Sequence, residues 1–170
     1  MTQISNKQEG KLRPSVTDSS KEIVAMQLVW EEEMILLIYC DKKTIYIYNE
    51  ETEESELLRT MTGANPDDNI THLKFDYHLS LIATGSDQGR VAVWDFEMGK
   101  LLGLCVGHSN ESEVSAIEFC APYPLMITCG SDGKILLWTV RPVPFANCHV
   151  CVSAFQNLTF NFQLEENCAI

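Results

Sequence analysis

Gly89-Arg-Val-Ala-Val-Trp94 and Gly133-Lys-Ile-Leu-Leu-Trp138 stand 44 residues apart and read as two copies of one phrase. Working back from them, the register holds without a gap. Leu81-Ile-Ala-Thr84 answers Leu125-Met-Ile-Thr128, and Ile70-Thr-His-Leu-Lys-Phe75 answers Val114-Ser-Ala-Ile-Glu-Phe119. Each segment is a short run rich in β-branched and aromatic residues, bounded by Gly, Asp or Ser, as strands are. A self-similarity of about 40–45 residues built from such strands marks an array of propeller blades. The chain is therefore expected to be all-β.

Outward from this pair, a degenerate first copy runs through Ile23–Val29, Met34–Tyr39 and Thr44–Tyr48, with Tyr48 where the later copies have Trp. Glu56–Met61 reads as its outer strand, with a helix over 51–61 as the alternative because Glu and Leu favour helix. Outer strands are expected at 101–106 and 149–152 for the second and third copies. The expected architecture is a partial β-propeller of about three four-stranded antiparallel blades within 21–152, spanning about 23–61, 70–106 and 107–152. Residues 1–20 are polar and aperiodic and read as a disordered arm. Residues 153–170 leave the repeat pattern and read as an irregular tail.

The charge balance, 12 Lys and Arg against 24 Asp and Glu for a net −12, disfavours nucleic acid and anionic membranes as partners. The acidity concentrates in Glu31–Glu33 and between Glu50 and Glu56. Those clusters read as solvated loops, or as a docking strip for a basic protein. The longest apolar run, Met34–Cys40, is too short for a membrane span. The first twenty residues hold no apolar block, so the expected location is the cytoplasm. Seven scattered cysteines then read as reduced core residues. Cys148-His149-Val-Cys151 lacks the second knuckle that a zinc site needs. No metal or other cofactor is predicted.

The chain resembles the WD-repeat family of β-propellers. The resemblance is carried by Gly107-His108, Phe119, Thr128-Cys-Gly-Ser-Asp-Gly133 and Trp138, and in the preceding copy by Phe75, Thr84, Gly89 and Trp94-Asp95. It implies that His108, Thr128, Asp132 and Trp138 form a hydrogen-bonded tetrad. These types suit such a brace because an indole donates, a hydroxyl and an imidazole both donate and accept, and a carboxylate accepts. The second copy offers a partial set, Thr84 and Trp94. It has Gln88 at the Asp place with Asp87 one position early, and Asp-Asp-Asn at 67–69 in place of Gly-His. The third copy is read as carrying about two extra residues between His108 and its first strand, and the first copy has Lys42 at the Asp place. A looser resemblance, of Glu118–Leu125 to large WD-repeat proteins of cilia and flagella, adds the cilium or axoneme as a second location.

Three copies cannot close a ring that usually takes about four to eight blades. The remaining blades of a longer propeller, or self-association, are expected at the open flank. The chain is accordingly read as a fragment or shortened form of a longer propeller protein. No nucleophile elbow, phosphate loop or metal pattern is present. The leading functional expectation is a non-enzymatic scaffold for other proteins, using rim loops that contain Asn65, Asp67, Asp68, Asn69, Asp87, Gln88, Ser109, Asn110 and Glu111. A structural part of a ciliary or cytoskeletal assembly is the alternative. A metal-dependent enzyme would need His72, Asp76 and His78 to converge.

Overall fold

The computed structural model describes residues 22–31, 34–50 and 55–140. Eleven strands and no helix occur among them. The first sheet contains β1 (Ala25–Glu31), β2 (Met34–Cys40), β3 (Thr44–Asn49) and β4 (Glu56–Thr62). The second contains β5 (Ile70–Asp76), β6 (Leu81–Ser86), β7 (Arg90–Asp95) and β8 (Lys100–Val106). The third contains β9 (Val114–Phe119), β10 (Leu125–Gly130) and β11 (Ile135–Thr139). Each sheet is an antiparallel meander in which sequence neighbours pair. Residues 56–62 are a strand, not the alternative helix: paired with β3 they gain a ladder of hydrogen bonds, which overrides propensity. The third sheet has three strands among the described residues. The strand expected at 149–152 lies outside them, as do the 1–20 arm, the 153–170 tail and the Cys148–Cys151 knuckle.

Period-two alternation explains how the sheets stack. In β6 and β7, Ile82, Ala92 and Trp94 join the core shared with the first sheet, whereas Leu81, Ala83, Val91 and Val93 join the core shared with the third. The middle sheet is thus apolar on both faces because each faces another sheet. The outer strand β4 is mostly exposed, while β8 mixes exposed residues with the buried Leu102 and Cys105. A rule of packing emerges from the two joints. Aliphatic side chains on the trailing face of one sheet (Ile38, Ile45 and Ile47; Val91 and Val93) receive the aromatic leading face of the next (Phe75 and Trp94; Phe119 and Trp138).

Polar contacts between inner strands add to these joints. Gln27 Nε2 donates to the Phe75 carbonyl at 3.1 Å, and Phe75 N donates back to Gln27 Oε1 at 2.9 Å. Thr71 Oγ1 donates to the Val114 carbonyl at 3.0 Å. Close approach also dictates Gly85, where a Cβ would lie 2.6 Å from a methyl group of Val114.

Candidate functional site: the braced rim

Loops and hairpin turns at one end of the sheets form a continuous row. Lys43, in the β2–β3 turn, donates through Nζ to the carbonyls of Pro66 and Asp68 at 2.8 and 2.7 Å. Asn69 N and Nδ2 donate to the Asp87 carboxylate at 3.0 and 2.7 Å, tying loop 63–69 to turn 85–89. Gly89, at φ 71°, lies so close to the next loop that a Cβ would stand 2.4 Å from the Ser109 carbonyl oxygen. Gly133 takes the same left-handed geometry at φ 75° in the third sheet, which explains why glycine recurs at that hairpin place.

At the third sheet the four tetrad residues meet. Trp138 Nε1 donates to Thr128 Oγ1 at 2.8 Å. Thr128 Oγ1 lies 2.8 Å from His108 Nε2, and His108 Nδ1 lies 3.0 Å from Asp132 Oδ1. Every group is satisfied if the protons run one way: indole to hydroxyl, hydroxyl to Nε2, and Nδ1–H to carboxylate. Asp132 also accepts from Ser109 N at 2.8 Å and Lys134 N at 3.1 Å, so one carboxylate closes both the loop and the hairpin. Burial works to raise its pKa, but the Ser109 amide, His108 and the Lys134 amide outweigh it and hold the carboxyl well below the ordinary range. The position needs room as well: a Cβ on Gly130 would lie 2.8 Å from His108 Nδ1.

The second sheet keeps the indole–hydroxyl pair, with Trp94 Nε1 donating to Thr84 Oγ1 at 3.3 Å. Its loop is braced differently. The strand starts, Ile70 and Val114, show that the 44-residue offset continues through both loops, so the third copy carries no extra residues. Gly63-Ala64 therefore stands in register with Gly107-His108, and the histidine place is Ala64, not 67–69. The offset that aligned the strands, applied six residues further back, would have found it.

Without an imidazole, Ser86 occupies the place of Gly130 and donates to Asp68 Oδ2 at 3.3 Å. Arg90 Nη1 pairs with Asp68 Oδ1 at 2.5 Å, and Asn65 Nδ2 reaches the same oxygen at 3.1 Å. A cavity of about 20 Å³ remains among Ala64, Asp68, Thr84 and Ser86, enough for about one water. Asp68 is thus a buried brace and not an exposed contact residue. Of the other expected rim residues, Asp67, Ser109, Asn110 and Glu111 are exposed, while Asn65, Asn69, Asp87 and Gln88 are half-buried.

The first sheet replaces the brace with tyrosines. By strand pairing, Met26 faces Tyr39 as Leu73 faces Thr84 and Ile117 faces Thr128. Tyr39 therefore holds the Thr place, and Tyr48 the Trp place. Burial and a hydrogen bond to Tyr48 push the Tyr39 hydroxyl pKa upward, and the two rings stack at 5.9 Å. Lys42 does no carboxylate work in this turn. Its neighbour Asp41 accepts from the amides of Lys43 and Thr44, both at 2.7 Å.

The residues named for an enzyme do not gather. His72 lies mid-strand in β5 while Asp76 caps the following turn through Leu79 N at 2.9 Å, and four extended residues span roughly 13 Å. Among the described residues no group of three or more His, Cys, Asp or Glu is placed to hold a metal ion. Nor is any helix there long and apolar enough to cross a membrane.

Repeated meanders, joined face to face and locked by an indole–hydroxyl–imidazole–carboxylate brace, define a propeller of the repeat class. The chain belongs to the WD-repeat family: the family described as "WD domain, G-beta repeat" matches residues 55–95 and 99–139. Each match begins on the outer strand of one sheet and ends on the third strand of the next. Over 128 residues the chain is 27% identical to methylosome protein WDR77 of Xenopus laevis, covering 74% of this chain and 38% of that protein. Over 97 residues it is 32% identical to mitochondrial division protein 1 of Neurospora crassa, covering 57% and 14%. A chain of Chaetomium thermophilum Polycomb Repressive Complex 2 bound to GSK126 has the same fold, with a TM-score of 0.61 at 16% identity over 74% of this chain and 30% of that one. The chain spans well under half the length of these relatives.

Proposed function

We propose that this chain is a non-enzymatic scaffold that presents the braced rim to other proteins. One observation carries the reading. The exposed Asp67, Ser109, Asn110 and Glu111 sit on loops whose neighbouring residues are locked by part-buried hydrogen bonds to the hairpins of the sheets. Such loops meet a partner with little ordering cost, which is what a binding surface gains from preorganisation. A shallow cavity of about 380 Å³ opens between the loops, lined in part by Glu22, Lys42, Asn69, Asp87 and Glu113. Two relatives named for a methylosome and for Polycomb Repressive Complex 2 support a life among protein partners. The reading includes a cytoplasmic location, with the cilium as the alternative.

The test is quantitative affinity purification of the tagged chain beside an Asp67→Lys/Glu111→Lys variant. Both changes are at exposed positions, so folding should be unaffected and is checked by circular dichroism. The expected result is a defined set of proteins depleted several-fold with the variant. Equal recovery with both baits would reject the rim as the binding surface. Imaging of the same tagged chain in ciliated cells reads the location.

A further inference from the structure

The two outermost faces of the three-sheet stack are apolar, and the repeat itself shows what covers such faces. On the leading face of the first sheet, Met26 and Leu28 are 65% and 59% exposed. Strand pairing puts them in register with Leu73 and Phe75 of the second sheet and with Ile117 and Phe119 of the third. All four of those are 9% exposed or less, because a preceding sheet lies against them. Trp30, on the same face of β1, is 77% exposed. On the trailing face of the third sheet, Ile135 is 60% exposed, whereas its counterpart Val91 is fully covered. Leu125, Ile127 and Leu137 flank it in the places of Leu81, Ala83 and Val93.

The free faces are of unlike kind. The leading one carries the exposed Trp30 on β1 and, on β2 and β3, the stacked Tyr39, Tyr46 and Tyr48, of which Tyr39 and Tyr48 are already buried; the trailing one is aliphatic. Both internal joints place an aliphatic trailing face on an aromatic leading face. Even the thiol fits the rule: Cys40 lies within the covered joint between the first two sheets, and Cys129 holds its place on the free trailing face.

We propose that a second copy of this chain covers these faces. The trailing face of each copy, centred on Ile135, seats on the leading face of the other, centred on Trp30. The contact is heterologous, and two copies related by a two-fold axis make both joints at once. The product is a six-bladed ring, within the usual range of about four to eight blades. This inference does not depend on the rim reading, since none of its residues lies in the rim loops.

Light scattering during size-exclusion chromatography of the 170-residue chain at tens of micromolar tests it. The expected mass is about twice the 19.2 kDa of one chain. Trp30→Glu and Ile135→Glu alter exposed side chains, and far-ultraviolet circular dichroism verifies their folding. Each variant alone should run as a monomer, with association weakened at least tenfold, as for the loss of a hot-spot anchor. Mixed one to one, the two variants should recover a dimer, because the intact trailing face of one meets the intact leading face of the other. A wild-type monomer would overturn the proposal, showing that the faces are left free or covered by the chain's own residues. Dimers lost with Trp30→Glu but kept with Ile135→Glu would overturn it in favour of leading faces pairing with each other. A ladder of masses beyond two copies would overturn ring closure.

Discussion

The second and third sheets close the same joint with opposite chemistry. In the third, the carboxylate is on the hairpin (Asp132) and its basic partner on the incoming loop (His108). In the second, the carboxylate is on the loop (Asp68) and the cation on the hairpin (Arg90). The register is the same throughout: Ala64 for His108, Asp68 for Ser112, Ser86 for Gly130, Arg90 for Lys134. A polar bridge between loop and hairpin is therefore what the architecture requires, and its donor and acceptor are free to change sides provided the neighbours change with them. Gly130 and Ser86 show the coupling. Glycine is needed only where an imidazole fills the space, and where it does not, serine takes over as a bonding partner.

Removing the basic partner from each joint should produce the largest difference. His108→Ala leaves the Asp132 side chain, 6% exposed, without its imidazole, and Thr128 without an acceptor, at a cost of about 3 kcal/mol. Arg90→Ala should cost less, about 2 kcal/mol: Asp68, 8% exposed, loses its cation but keeps the Asn65 amide and the Ser86 hydroxyl, and no second group loses its partner. Urea unfolding of both variants measures the gap, and equal losses would mean that the two bridges are equivalent.

Acid should expose the same asymmetry. The folded state holds Asp132 below its ordinary carboxylate range, so its network contributes stability above about pH 4, and that contribution is lost as pH falls toward the folded value. In Asp132→Asn no charge remains to be lost, so the fall in stability below about pH 4 should be shallower than in wild type. Parallel acid curves would show that Asp132 is not the group that titrates.

Gly130→Ser should cost about 1–3 kcal/mol by crowding His108. Most of that loss should vanish in the His108→Ala background, since the clash and the imidazole disappear together. Additive losses would place the strain elsewhere.

The smallest effect runs in the other direction. Ala64→His, Ser86→Gly and Gln88→Asp together rebuild the third sheet's brace around Thr84 and Trp94. The gain should be about 1 kcal/mol, with Ala64→His alone destabilising because Ser86 stands in the way. A single variant as stable as the triple would break the proposed coupling between the two places.

Strand positions were legible in the sequence because alternation and turn chemistry act locally: Val91–Trp94 and Leu136–Trp138 follow them directly. The tetrad was legible as a set of residue types at a spacing. The second sheet's brace was not. Asp68 and Arg90 are ordinary surface residues in sequence, and only the fold brings them together across a 22-residue separation. The tyrosine stack was likewise hidden, because Tyr39 finds the Thr place through strand pairing and not through a motif. An exposed Asp67 and a buried Asp68 cannot be told apart by composition. Their difference arises from which side of a tight loop each occupies.

The stagger between sequence repeat and sheet has a consequence for how such a chain can change length. Because each repeat starts on the outer strand of one sheet and ends on the third strand of the next, a unit of 44 residues carries one complete joint with its lock. Excising Gly63 through Val106 would splice Thr62 onto Gly107, an equivalent place in the next unit. The array can thus be shortened or extended in whole steps, with each surviving joint inheriting its own bridge chemistry from the piece that brought it.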